Sequence, residues 1–292
     1  MYNIKEIYKG YKSTFQNYIS VLFYRTFKKD KIKIKLNNNK ICYWNYKQVK
    51  NYHYLYNKYL ECYPNCNITN LTLFNTNLNA LQFNYKGIEI QLYGSLDNGD
   101  IVDTFLHCDY SWLNSNNKIV LDIGANIGDS SIYFALNGAK MVIALEPYPY
   151  SYNYALKNIN INNLNDKITL LNAGYSEDSE IKVDENKITD AGTDLKPSKN
   201  GKNIKLYSLK TLINEYNLNN DDLLLKMDCE GCEYNILNED NDVLRKFKRI
   251  QIEYHYGYGK LINKLKACNF KVQFTQPKKI KEMSLGWIYA EL

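Results

Sequence analysis

"IVLDIGANIGDSSIYFAL", residues 119–136, decides how this chain is read. An apolar run ending at Asp122 reads as a buried strand, a glycine-bearing turn follows, and a helix starts near Asp129. Gly124 and Gly128 let the backbone pass close to a ligand, because a Cβ there would collide with it. The loop N–H groups and the helix N-terminus offer donors to a carboxylate or phosphate. The spacing is Asp-x-Gly-x-Asn-x-Gly, which lacks the third glycine of the dinucleotide fingerprint. A pyrophosphate needs close backbone approach over two phosphates. A zwitterionic methionine tail needs less room and an acceptor for its ammonium group, a part that Asp122 fits.

Further along, "VIALEPYP" (142–149) puts Glu146 just past the end of a second strand, 22 positions after Gly124. An acid there accepts hydrogen bonds from both hydroxyls of a ribose. That feature marks a nucleoside without saying which one. The expected cofactor-binding set is therefore Asp122, Gly124, Ala125, Asn126, Gly128, Asp129, Ser130, Glu146 and Pro147, with Asn172, Ala173 and Asp228 at the mouths of later strands.

Outward from this turn the apolar pattern alternates. Strands are expected near 118–123, 141–145, 167–172, 223–228, 249–254, 270–275 and 286–291, and helices near 128–137, 149–161, 208–216, 232–238 and 258–268. Such βα units call for a mostly parallel sheet covered by helices on both faces, a Rossmann-like α/β fold. The polar stretch 174–206 reads as an insertion with a short strand pair.

Residues 1–98 read as an α+β extension ahead of a main domain spanning 99–292. Ile4, Ile7, Tyr8, Tyr11, Phe15, Tyr18, Ile19, Leu22, Phe23 and Phe27 recur at helical spacing, which predicts one amphipathic helix over 4–27. It packs on its own domain or lies on a membrane interface as a peripheral contact. A hairpin follows over Lys31–Leu36 and Ile41–Trp44, then a Tyr-rich helix over 47–62 and strands at Ala80–Asn84 and Ile88–Tyr93. Gly99-Asp100 opens a short helix carrying Ile101, Val102, Phe105 and Leu106.

Composition bounds the class. The chain is 45% hydrophobic and 14% aromatic, enough for a sizeable core and against wholesale disorder. Net charge is +6, but residues 1–50 hold twelve Lys/Arg against Glu6 and Asp30, so that stretch carries +10 and the remainder −4. A basic arm suits an anionic partner: a membrane surface, a phosphorylated substrate or nucleic acid. A solvated basic face accounts for it equally well. No signal-peptide pattern and no run of about 18–20 apolar residues is present. The seven cysteines (42, 62, 66, 108, 229, 232, 268) are irregularly spaced. Reduced thiols in a cytoplasmic protein follow, and the sequons at Asn67 and Asn70 then carry no weight. Cys229-x-x-Cys232 and Cys62-x-x-x-Cys66 have no matching second pair and read as ordinary thiols.

The segments "VLDIGANIGDSS" (120–131), "ALEPYPYSYNYALKNININNL" (144–164), "LLKMDCEGCEYNIL" (224–237), "QIEYHYG" (251–257) and the terminal "GWIYAEL" (286–292) together resemble the FkbM-type methyltransferase family, over roughly residues 99–292. The resemblance implies a class I fold dependent on S-adenosyl-L-methionine (SAM), and O-methylation of hydroxyls on sugars, lipids or polyketide-like small molecules. Residues 1–98 show no comparable likeness.

Methyl transfer is an in-line displacement, and a hydroxyl acceptor must also lose a proton. In "DCEGCE" (228–233), Glu230 and Glu233 are the candidate bases, with Asp228 orienting the cofactor amino group. Glu253 and His255 end the next strand and face the same cleft, and an unperturbed histidine titrates near neutrality. A divalent metal on this cluster needs a geometry that sequence does not give, and none is assigned. The acceptor, a small molecule, glycan or lipid, is expected to enter over "TDAGTDL" (189–195), read as a lid or a plain surface insertion. Nucleic-acid methylation is disfavoured by the acidic mouth, which repels a phosphate backbone. An NAD oxidoreductase lacks its third glycine and catalytic pair, and a non-catalytic SAM-binding module would not need the acidic cleft. Oligomeric state is not legible.

Overall fold

The computed structural model describes the chain except residues 1–3, 38, 63–70, 98–99, 190–191, 219–221 and 281. The sequons at Asn67 and Asn70, Cys66, Gly99 and the centre of the 189–195 segment therefore lie outside the described residues. Two compact units are present, Met1–Cys108 and Asp109–Leu292. The division falls ten residues beyond the 98/99 boundary read from sequence. The reason is the π-helical turn Val102–Leu106, whose Phe105 packs edge-on against Phe83 and Tyr85 of the first unit, at 5.2 and 5.3 Å.

The first unit holds α1 (Ile4–Thr14), α2 (Tyr18–Thr26), a hairpin of β1 (Ile32–Lys35) and β2 (Ile41–Trp44), and α3 (Tyr46–Cys62). An antiparallel sheet of β3 (Leu71–Asn75), β4 (Ala80–Tyr85) and β5 (Ile88–Leu92) completes it. The single helix expected over 4–27 is two. Phe15 bridges to Leu36, the Gln16 N–H donates to the Lys35 carbonyl, and the Asn17 side chain bonds both the Lys33 carbonyl and the Lys35 N–H. The Gln16 N–H and the Asn17 side chain thus find partners along β1, and the first helix stops there. Periodicity could not show this, because Phe15 fits the helical stripe and the strand contact alike.

The second unit runs β6 (Ile119–Ile123), α4 (Asp129–Leu136), β7 (Met141–Leu145), α5 (Pro149–Ile161), β8 (Ile168–Leu171), β9 (Ala173–Tyr175), β10 (Ser179–Val183), β11 (Lys202–Tyr207), α6 (Leu209–Glu215) and β12 (Leu223–Met227). It ends with α7 (Asn241–Leu244), β13 (Phe247–Tyr254), α8 (Gly259–Ala267), β14 (Lys271–Phe274), β15 (Lys278–Ile280) and β16 (Met283–Glu291). The main sheet has the order β14-β16-β13-β12-β6-β7-β8. Its pairs from β13 to β8 are parallel, and β16 is antiparallel to both β13 and β14. Every residue of β6 and β12 is buried, as expected of central strands covered on both faces. Each fully buried Leu or Ile there contributes about 1.5–3 kcal/mol. The expected strand pair in 174–206 is β10 with β11, and β9 joins it in parallel as a third strand.

Strand order reverses between β6 and β12. Ligands of open α/β sheets bind at such a switch point, beyond the strand carboxyl ends. Asp122 lies in β6, while Glu146, Asp228 and His255 stand just past β7, β12 and β13, at that edge.

Candidate active site

The β6–α4 turn is held by the protein itself. The N–H groups of Gly124 and Ala125 both donate to the Leu145 carbonyl, at 3.1 and 3.0 Å, and that of Gly128 donates to the Ala125 carbonyl at 2.7 Å. The Asn126 N–H donates to Glu146 Oε2 at 3.0 Å. These loop donors, expected to meet a ligand, instead shape the turn. The glycines are needed for packing too. Gly124 has φ +82°, and a Cβ on it would stand 1.9 Å from the Asp228 carbonyl oxygen. A Cβ on Gly128, φ +85°, would stand 3.2 Å from the Ala155 Cβ. The expected collision is with neighbouring chain rather than with cofactor.

Asp122 also has a different duty from ammonium acceptor. It is fully buried, and its Oδ2 accepts from the Ser130 and Ser131 hydroxyls at 2.7 and 2.6 Å. Its Oδ1 faces the Lys226 ammonium at 3.0 Å, and Lys226 also donates to the Gly124 carbonyl at 2.8 Å. Burial alone would lower the Lys226 pKa, but the Asp122 and Asp228 carboxylates outweigh it and raise it. A charged pair thus locks β6 to β12 in register beneath the turn. Ser130 spends its hydroxyl on this lock. Asp129 opens α4 and is buried.

Glu146 stands just past the end of β7, the place expected from the sequence for a ribose acceptor. The Tyr148 N–H donates to its Oε1 at 2.8 Å, so each carboxylate oxygen accepts one backbone bond and keeps a second lone pair. Burial raises its pKa to about 7, against those two N–H bonds. Asn172 braces this corner from below: its amide donates to the carbonyls of Glu146 and Pro147 at 3.0 and 3.1 Å. Ala173 sits buried in β9, paired with Lys205. Asn126 Oδ1 accepts from the Ser151 hydroxyl, which is 2.6 Å from the Thr189 hydroxyl. The Tyr148 hydroxyl donates to the Asp194 carbonyl. The described ends of the 189–195 segment are therefore tied to the cofactor corner.

At the mouth of β12, Glu230 and Gly231 take left-handed backbone, φ +54° and +116°. This turn brings Asp228, Glu230 and Glu233 around His255. Glu233 is fully buried, and its Oε1 accepts from the His255 N–H at 3.0 Å and meets His255 Nδ1 at 2.9 Å. Its Oε2 accepts from the Gly231 N–H at 2.8 Å. With both oxygens occupied and no exposure, Glu233 positions the histidine and is unsuited to be the base. His255 Nε2 lies 3.3 Å from Glu230 and 3.9 Å from Asp228. Burial disfavours its charge, yet the bonds to Glu230 and Glu233 win and hold its pKa up at about 11. It is an imidazolium at neutrality, not the neutral base expected from its ordinary range. Glu253 goes the same way: burial, then the Asp228 charge, push it up to about 9, so it stays protonated and hydrogen-bonded to Asp228.

Both groups hold a proton more tightly folded than unfolded, so their stabilisation is complete at low pH and lost as pH rises. The window runs from 4.5 to about 9 for Glu253 and from 6.5 to about 11 for His255. Thermal melts should therefore show Tm falling between pH 7 and pH 10, by up to about 1.4 kcal/mol of stability per pH unit per group. Glu253→Gln should flatten the lower part of that fall. A Tm that rises with pH over this range would contradict the proton assignments.

Sequence reading missed two members of the site. Lys226 carries a signal, a lysine inside the apolar run "LLLKM". Tyr110, in the 3-10 turn Asp109–Leu113, carries none. Its buried hydroxyl donates to Asp228 Oδ2 at 3.2 Å, and its ring faces the Lys226 ammonium at 5.5 Å. Cys229 and Cys232 were expected as ordinary thiols, but they form a disulfide across the DCEGCE turn, which places their Cα atoms 5.4 Å apart. Asp228, Glu253 and His255 each offer a ligand atom within 4.8 Å of the others, the spacing of a three-ligand cation site. A cation there would have to displace the proton on His255.

A parallel sheet reversing at β6, a glycine turn, an acid after β7 and an acidic mouth at β12 define a class I methyltransferase site. Residues 122–272, just over half of the chain, match the methyltransferase FkbM domain. The chain belongs to that family, and SAM is its cofactor. The donor set fits it: Glu146 for the ribose hydroxyls and Asp228, a quarter exposed, for the ammonium group. M. jannaschii TYW2 in complex with AdoMet superposes with a TM-score of 0.42 at 17% identity, over 76% of this chain and 91% of that one. Trm5b from Pyrococcus abyssi gives 0.42 at 13%, over 74% and 56%. The methyltransferase FkbM from Methylobacillus flagellatus KT gives 0.41 at 17%, over 60% and 44%. No curated protein matches the sequence. Among the described residues, no helix is long and apolar enough to cross a membrane.

Proposed function

We propose that the protein is an O-methyltransferase acting on a hydroxyl of a glycan, lipid or other small molecule, with Glu230 as the base. The observation that carries this is the division of labour around His255. Glu233 is consumed in positioning and Glu253 is protonated, while Glu230 remains at the mouth, its side chain 21% exposed and held by the imidazolium at 3.3 Å. SAM supplies an electrophilic methyl group on a sulfonium. As the acceptor oxygen is methylated, Glu230 would take the hydroxyl proton. The neighbouring imidazolium offsets the negative charge that Asp228 and Glu230 concentrate there, and Tyr110 and Glu253 fix Asp228 for the cofactor ammonium.

The Asp228 and Glu230 carboxylates at the mouth oppose a nucleic-acid substrate, since they would repel its backbone. We propose a cytoplasmic setting for the protein. The free thiols of Cys42, Cys62, Cys108 and Cys268 accord with it, and the Cys229–Cys232 bridge is the exception.

The test is transfer of labelled methyl from SAM to pooled glycan and lipid extracts, wild type against Glu230→Gln. The substitution should slow transfer by about 10²–10⁴-fold, as for loss of a general base, and leave SAM affinity within about twofold. Transfer at the wild-type rate would place the base elsewhere.

A further inference from the structure

The first unit carries a surface that the methyl-transfer reading does not use. Of the residues in α2, Val21 alone is buried. At 100° per residue, Ile19 and Phe23 both project to the side opposite Val21, and Phe27 extends the same row at the helix end. These three recur every fourth residue and are 66%, 58% and 62% exposed. Phe23 and Phe27 lie ring to ring at 4.8 Å. The other exposed positions of the helix, Ser20, Tyr24 and Thr26, are uncharged. A surface helix normally turns its apolar stripe inward, as α1 does with Tyr11. α2 instead presents one outward.

Basic residues crowd the end of this row. Lys28, Lys29 and Lys31 follow the helix directly, and all three are exposed, as is Lys33 on β1. Only Asp30 interrupts them. An apolar ridge bordered by ammonium groups is complementary to a surface that is apolar inside and anionic at its rim. A second copy of this chain is a poorer match, because two +10 segments would be pressed together.

We infer that α2 is a docking face for an anionic lipid bilayer, with Ile19, Phe23 and Phe27 entering the acyl boundary and Lys28, Lys29 and Lys31 meeting lipid phosphates. The helix is short, so binding is peripheral and reversible. It should weaken with salt, because the lysine contribution is screened within a Debye length. The inference is independent of the methyl-transfer reading.

Sedimentation of the full chain with phosphatidylserine-containing vesicles, against phosphatidylcholine alone, tests it. The wild type should pellet with the anionic vesicles and weakly with the neutral ones. Phe23→Ser with Phe27→Ser should lose at least about tenfold in partitioning, from apolar area alone. Lys28→Glu with Lys29→Glu should lose roughly 25-fold or more, at about fivefold per basic residue removed. Far-UV circular dichroism and the thermal melt, measured on each variant, report that the fold is intact. A Phe23→Trp variant should shift its emission to the blue on anionic vesicles. No vesicle binding by the wild type, or wild-type binding by both double variants, overturns the inference. So does a wild-type dimer that Phe23→Ser with Phe27→Ser converts to monomer without any lipid effect, which would assign the face to a second copy.

Discussion

Lys226→Met is expected to cost about 3–5 kcal/mol of folding stability, the range for removing one partner of a buried ion pair. Lys226 and Asp122 are 1% and 0% exposed, so neither charge can be rehydrated in place. Without the ammonium, Asp122 would keep two serine hydroxyls and no counter-charge. The Gly124 carbonyl would lose its donor in the same step. Chemical denaturation measures the loss, and SAM affinity should fall with it, because the turn and the β12 mouth are tied through this pair. Asp122→Asn with Lys226→Met should recover a large part of the stability, since it removes the buried charge as well. A loss below about 1 kcal/mol for Lys226→Met would mean that the pair is not the lock described.

Gly124→Ala should be nearly as severe, by a different route. The added Cβ would meet the Asp228 carbonyl oxygen at 1.9 Å and its carbon at 2.8 Å, both backbone atoms, on a residue at φ +82°. β6 and β12 must separate at their mouths, or the turn must refold. A cost of about 3 kcal/mol or more is expected from overpacking and strain together. Asp228 would be displaced, and SAM binding with it. Gly128→Ala is the contrast. Its Cβ would meet the Ala155 side chain at 3.2 Å, so strain at φ +85° dominates and the cost should be about 1–2 kcal/mol. Equal Tm values for the two variants would contradict the close approach of the two strands.

The comparison of these glycines shows what a sequence can and cannot disclose. Asp-x-Gly-x-Asn-x-Gly after an apolar strand was enough to locate the turn, because strand, turn and helix each leave a local pattern. Alternation of apolar runs was enough for the parallel sheet, and the place of Glu146 followed from the second strand. What Gly124 avoids was hidden, since the Asp228 carbonyl is 104 positions away in the chain. The same distance hid the Asp122–Lys226 pair and made Asp122 look available to a ligand. Tyr110 lies in a turn with no pattern of its own, yet it donates to Asp228. The protonation of His255 and Glu253 depends on three carboxylates meeting in space, which no reference pKa contains. The break between α1 and α2 came from the β1 edge, a partner that helical periodicity cannot register.

One measurement reaches the assignment most directly: calorimetric titration of the protein with SAM, S-adenosylhomocysteine and NAD, on the wild type and on Glu146→Ala. On the proposal that Glu146 accepts from the ribose hydroxyls, micromolar binding of the first two should weaken by about 10–100-fold in the variant, the worth of one or two hydrogen bonds to a charged group. NAD should not bind. A folded wild-type protein that binds neither SAM nor S-adenosylhomocysteine, or that prefers NAD, would contradict the assignment of this site to methyl transfer.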